Sequence, residues 1–158
     1  MKSIMKFFVM MLVSSSLMLS SCKDDDDDDD DDTPKPSYTN VLTAKVGGAS
    51  FSASSILGQM YMGGMQISGT NVVGLMQIIV PSDIKVGTYP ITSGSDESVN
   101  WATNKEGYSP GTGTIVVVKH DETGNIIEGT FKANLKELST DAPLEITDGV
   151  FKVNYIEQ

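Results

Sequence analysis

Residues Ile126–Leu138 carry the tightest constraint on the fold. Ile127, Phe131, Ala133 and Leu135 fall on one side of an extended chain, and Glu128, Thr130, Lys132, Asn134 and Lys136 fall on the other. A two-residue period belongs to a strand, because successive side chains point to opposite faces of a sheet. One dry face and one wet face is the signature of an antiparallel sheet; parallel strands are covered on both sides.

The rest of the chain after residue 38 repeats that theme in shorter pieces, separated by Gly, Asn, Asp and Ser. Val41–Val46 reads as a strand, Gly47-Gly48 as its turn and Ala49–Ala53 as its partner. Gly58–Met62 and Met65–Gly69 flank Gly63-Gly64, so a two-residue loop there sets Met62 opposite Met65 and Met60 opposite Ile67. Val72–Val80 and Gly87–Ile91 follow, with Pro90 marking an edge or an end. From Thr92 to Gly113 the pattern fades. Thr114–His120 then pairs with Ile126–Leu138 across Asp121–Asn125. Leu144–Thr147 and Val150–Ile156 read as a last pair about Asp148-Gly149, with Phe151, Val153 and Tyr155 turned inward.

The expected fold class is therefore all-β: an antiparallel meander of about eight to ten short strands forming a sandwich or a small up-and-down barrel. No segment is long and amphipathic enough for the crossover helix that a parallel sheet requires. Three regions are expected, residues 1–21, 22–37 and a single β domain over 38–158.

The first region is not part of that fold. Lys2 and Lys6 precede an apolar, uncharged stretch from Phe7 to Leu19, the layout of a secretory leader. The stretch is shorter than the roughly 20 apolar residues of a membrane-spanning helix. It ends in Leu19-Ser20-Ser21-Cys22, which resembles the lipobox of bacterial lipoproteins. The resemblance implies removal of residues 1–21 and acylation of Cys22. Cys22 is the only cysteine, so internal disulfides are excluded, and lipidation accounts for a lone thiol in an exported chain. One acyl chain holds a protein to a bilayer only marginally; the resemblance implies two or three.

Asp24–Asp32 is an unbroken aspartate run, followed by Thr33-Pro34-Lys35-Pro36-Ser37. Mutual repulsion and the lack of apolar side chains predict an extended, disordered tether. At ~3.3–3.6 Å per residue, Lys23–Ser37 spans at most about 50 Å. Cys22-Lys23-Asp24-Asp25 is similar to the export signal of Bacteroidota-type surface lipoproteins, which implies an outer-membrane protein facing the exterior; the alternative is an anchor facing the periplasm.

The resemblance extends into the domain through Gly47–Ala53, Gly87-Thr88-Tyr89, Gly113–Val117, Lys119-His120-Asp121, Gly129-Thr130-Phe131 and Ile146–Phe151. These elements resemble a family of small Bacteroidota lipoproteins defined as a domain of unknown function. They are turn and strand patterns and bring no catalytic or ligand-binding residues with them.

Chemistry is sparse. After residue 36, seven lysines (Lys45, Lys85, Lys105, Lys119, Lys132, Lys136, Lys152) face twelve acids, and arginine is absent, so a nucleic-acid partner is not expected. His120, the one histidine, reads as an exposed turn residue beside Asp121-Glu122, too few ligands for a structural zinc. Asp83, Asp96, Glu97, Glu128 and Asp148 sit at turn or wet-face positions, which argues against a hydrolytic carboxylate pair. Met60, Met62, Met65 and Met76 suit core filling better than copper capture. No metal, no cofactor and no catalysis are expected.

What remains is the Thr92–Gly113 stretch, where Trp101 and Tyr108 stand among Asn100 and Asn104. Aromatic faces beside amides suit a sugar or a protein partner, unless Trp101 plugs one end of the core. The sequence thus predicts a lipid-anchored, non-catalytic binding module for a glycan or an envelope protein. The alternatives are a structural subunit of a cell-surface assembly, or a hydrolase or enzyme inhibitor.

Overall fold

The computed structural model describes residues 38–61 and 63–157. Cys22, Lys23, Asp24 and Asp25, with the leader, the aspartate run and Met62, lie outside the described residues.

Ten strands and no helix occupy the described residues. They are β1 (Val41–Val46), β2 (Ala49–Ser52), β3 (Ser55–Tyr61), β4 (Gly64–Thr70), β5 (Leu75–Pro81), β6 (Gly87–Ile91), β7 (Ser98–Ala102), β8 (Gly107–Asp121), β9 (Ile126–Glu137) and β10 (Pro143–Glu157). The all-β expectation holds, and every pairing but one is antiparallel. The exception is β10 beside β3, where Tyr155–Glu157 run parallel to Gly58–Met60.

The ten strands form one continuous sheet, within which two smaller sheets can be traced, β2-β1-β10-β9-β8-β6 and β3-β4-β5-β7. They join at two corners, at the parallel β10–β3 contact and where Trp101 and Ala102 of β7 meet Tyr108 and Gly107 of β8. Following the pairings around, β10, β3, β4, β5, β7, β8 and β9 close a ring. The architecture is thus a sandwich sealed at its corners into a barrel, as happens when strands change sheets at bulges. β8 carries such a bulge between Pro110 and Thr112, where its partner changes from β7 to β6.

The interior is apolar throughout. Met65, Ile67, Met76, Ile78, Val99, Ile115, Ile127 and Val153 are fully buried, and no buried side chain is polar or charged among the described residues. Alternation in β9 is as read from the sequence, and Phe151, Val153 and Tyr155 do face inward.

A reciprocal pair of glycines makes room for two core rings. Gly129 of β9 lies opposite Phe151 of β10, and Gly149 of β10 lies opposite Phe131 of β9. Each ring lies over the facing glycine, and the two ring centroids stand 6.4 Å apart. A Cβ at Gly129 would come within 2.2 Å of the Val116 carbonyl oxygen and 2.4 Å of Phe151 Cζ. Glycine is required there for close approach, as it often is within a strand.

Three local expectations are corrected. The β3–β4 hairpin pairs Met60 with Met65 and Tyr61 with Gly64, so its register is shifted by two residues and the loop spans 62–63. Gly63, at φ +83°, takes the left-handed position that a β-carbon disfavours, and a shift of two residues leaves Met60, Met65 and Ile67 on the face expected of them. Asp148-Gly149 is a bulge inside the continuous strand β10, because β9 on one edge and β1 on the other pair with it on both sides of that point. The Thr92–Gly113 stretch contains β7, whose alternation of Val99 and Trp101 is only five residues long and set among serine and asparagine.

Candidate functional site

The two sheets turn very different outer faces to solvent. On the six-strand sheet, Lys45, Lys119, Glu128, Lys132, Lys136, Glu145, Asp148 and Lys152 all point outward, with Lys45 Nζ 2.7 Å from Asp148. Tyr38 lies on this face. Its hydroxyl donates to Glu128 Oε1 at 3.1 Å, Lys152 Nζ sits 4.6 Å above its ring, and Asn40 Oδ1 accepts from the Asn154 backbone N–H. The described chain therefore enters the domain on the charged side.

Strands β3, β4, β5 and β7 contain no acid, lysine or histidine. Their outward residues form rows across the sheet. One row is Leu57, Ser68, Gln77 and Asn100; the next is Gln59, Gln66, Ile79 and Ser98. Along the strands, Gln66 Nε2 donates to Ser68 Oγ at 2.9 Å and Asn100 Nδ2 to Ser98 Oγ at 3.3 Å. Gln59 and Gln77 make no side-chain hydrogen bond among the described residues. An amide offers two donors and an acceptor, so this face presents hydrogen-bonding capacity without charge.

At the β7 edge of that face lies a shallow groove of about 270 Å³, lined by Leu75, Gln77, Asn100, Trp101, Tyr108 and Leu138 among others. Three of the four sequence candidates, Asn100, Trp101 and Tyr108, meet there. Asn104 does not line it; it is exposed in the 103–106 turn, where Thr103 Oγ1 accepts from the N–H groups of Lys105 and Glu106. Trp101 turns inward, 4% exposed, with its ring edge-on to Phe51 at 5.2 Å. It is the wall of the groove and part of the core at once. Tyr108 is half-buried and donates to Glu106 Oε2 at 2.9 Å, while Leu138 stands 72% exposed at the rim.

Sequence reasoning missed the charge-free face. Its signal was present: no charged side chain occurs from Val46 to Ser82, in a chain with charged residues at 20% overall.

His120 is a correction. The bulge between Val117 and Lys119 turns it inward, where it is half-buried instead of exposed. Its Nδ1 lies 2.7 Å from the Ile84 carbonyl oxygen, which can only accept, so Nδ1 carries the proton. Nε2 then accepts from the Tyr155 hydroxyl at 3.0 Å. No group of three His, Cys, Asp or Glu able to hold a metal occurs among the described residues. Of the methionines, Met65 and Met76 are wholly buried and Met60 half-buried, as core filling requires; Met62 lies outside the described residues.

Burial, and then Glu157, Glu122 and Asp121, push the Tyr155 hydroxyl above its ordinary value of 10.0. A raised folded-state pKa contributes stability that is complete below the unfolded value and is lost as pH climbs through the folded one. The domain is therefore expected to lose stability above about pH 10, and Tyr155→Phe to remove part of that loss in urea titrations run across the alkaline range, the Tyr38 hydroxyl, raised by burial and Glu128, keeping its own share. An unchanged alkaline slope in the variant would contradict the assignment.

Residues 38–153 match the family described as Domain of unknown function (DUF6252), and the chain belongs to that family. No protein of curated function matches the chain, and no solved structure does.

Proposed function

We propose that this protein is an outer-membrane lipoprotein, held by acyl chains on Cys22 and displayed at the cell surface, whose β domain is a non-catalytic binding module. The observation that carries the binding half is the charge-free outer face of β3, β4, β5 and β7, which runs into the Trp101–Tyr108 groove through Gln77 and Asn100. In a chain of net charge −10, four adjacent strands without acid, lysine or histidine make a distinct chemical surface.

The anchoring half rests on sequence. An apolar leader ending in Leu19-Ser20-Ser21-Cys22 resembles a lipobox, and Cys22-Lys23-Asp24-Asp25 is similar to a surface-export signal. The described chain begins at Tyr38, on the lysine-bearing face of the domain. Protease added to intact cells is expected to remove the domain as completely as protease added after lysis. A domain that stays whole on intact cells and is cut only after lysis would show an anchor facing the periplasm.

A further inference from the structure

We infer that the charge-free face of β3, β4, β5 and β7 is a binding surface for an uncharged polysaccharide chain. The inference rests on the binding-module reading and names its ligand class.

Charge decides first. With no cation on the four strands, an anionic ligand would gain no ion pair and would meet a domain whose lysines are outnumbered by its acids. The four strands carry no carboxylate, and the two that border the face, Asp96 beside Ile79 and Glu106 on the Tyr108 hydroxyl, lie at opposite rims, so a cationic ligand lying across the rows gains little either. A neutral ligand is left.

Hydrogen-bonding capacity decides next. Gln59, Gln66, Gln77 and Asn100, with Ser68 and Ser98, place donors and acceptors side by side, and Leu57 and Ile79 lie in the same two rows. Sugar hydroxyls donate and accept, and the ring C–H faces of a sugar pack on aliphatic side chains, so both needs of a glycan are met in each row. A protein partner would use buried aromatic or arginine anchors; the rows named here hold neither. The rows cross the strands, whose spacing of about 4.8 Å is close to the length of one pyranose residue. An extended chain can thus offer one sugar per strand. The rows run across the strands, as a polymer laid on them would, and the groove at Asn100 and Tyr108 extends the track at one end.

The test is affinity electrophoresis of the detergent-solubilised full chain in native gels cast with dextran, laminarin, mannan or levan, all uncharged, and in parallel with polygalacturonate and heparin. Retardation by at least one uncharged polymer is expected, with none by the two anionic ones. Gln77→Glu with Asn100→Asp keeps shape and adds charge at two half-exposed positions. Removing one amide donor at each position should weaken retardation about tenfold or more. Lys132→Glu, on the opposite face, should leave it unchanged, and thermal melting of each variant confirms the fold.

Silence toward all four neutral polymers overturns the inference, as does retardation that the double variant retains. Binding confined to the anionic polymers overturns it too, and so does concentration-dependent dimerisation that the double variant abolishes without any polysaccharide effect. Surface display is judged separately by protease on intact cells, so a displayed protein that fails this panel refutes the ligand and leaves the location standing.

Discussion

Gly129→Ala is expected to cost the domain about 3 kcal/mol or more, the upper end of what overpacking does in a filled core. The usual escape from overpacking is a rotamer change or a small side-chain shift. It is blocked at Gly129, because the nearest atom to the new methyl group is the Val116 carbonyl oxygen at 2.2 Å, which belongs to a neighbouring strand of the same sheet. The second is Phe151 Cζ at 2.4 Å, and Phe151 is itself fully buried. Relief therefore requires β8 or β10 to move away from β9, which stretches ladder hydrogen bonds at Val117–Gly129 or Gly129–Phe151. Against a typical total stability of about 5–15 kcal/mol, that is a large share of the folding free energy, enough to shift an unfolding midpoint clearly. The measurement is the urea midpoint of the purified domain-bearing chain. Phe151→Leu in the Gly129→Ala background should recover part of the loss, since it removes the ring clash and leaves the backbone one. A midpoint for Gly129→Ala within error of the parent would show that the strands are not packed as described.

Cys22→Ala is expected to move the protein from the membrane fraction to the soluble fraction almost completely. Each buried CH₂ of an acyl chain contributes ~0.8 kcal/mol, a single chain gives only reversible attachment, and two chains give a durable one. No helix among the described residues is long and apolar enough to cross a membrane. The Gly129 and Cys22 variants separate cleanly, because the first is expected to lower stability without touching the proposed anchor and the second to do the reverse. Membrane retention of a folded Cys22→Ala protein would mean that something other than lipid holds it.

The sequence revealed the fold class because alternation survives wherever a strand is long and has one wet face, as in β9 from Ile127 to Lys136. β7 escaped because five residues with two inward side chains give almost no period to detect. Asp148-Gly149 looked like a turn, since Asp-Gly favours positive φ, and Asp148 does sit at φ +51°; only the partners on both edges reveal that the strand continues. The parallel β10–β3 contact joins Tyr155 to Gly58, far apart in the chain, and no local pattern encodes it.

The same logic applies to the site. Trp101 and Tyr108 were legible as an aromatic pair among amides, and they do face one another across β7 and β8. Trp101's inward turn depends on strand parity within a segment whose strand was not visible. The twin motifs Gly129-Thr130-Phe131 and Gly149-Val150-Phe151 were visible as motifs. Their meaning, each phenylalanine over the other's glycine, appears only with the register. The charge-free face was written in the plainest way, as a long gap in the charges, but a gap becomes a face only when four strands are laid side by side.

The claim on which the whole reading depends is that lipid on Cys22 holds this domain at a membrane. The intact mass of the protein extracted from membranes with detergent tests it most directly. The account predicts a chain beginning at Cys22 and heavier than residues 22–158 by a glyceride and two or three acyl groups in total. A mass equal to the unmodified polypeptide, or a chain that still carries residues before Cys22, would contradict it.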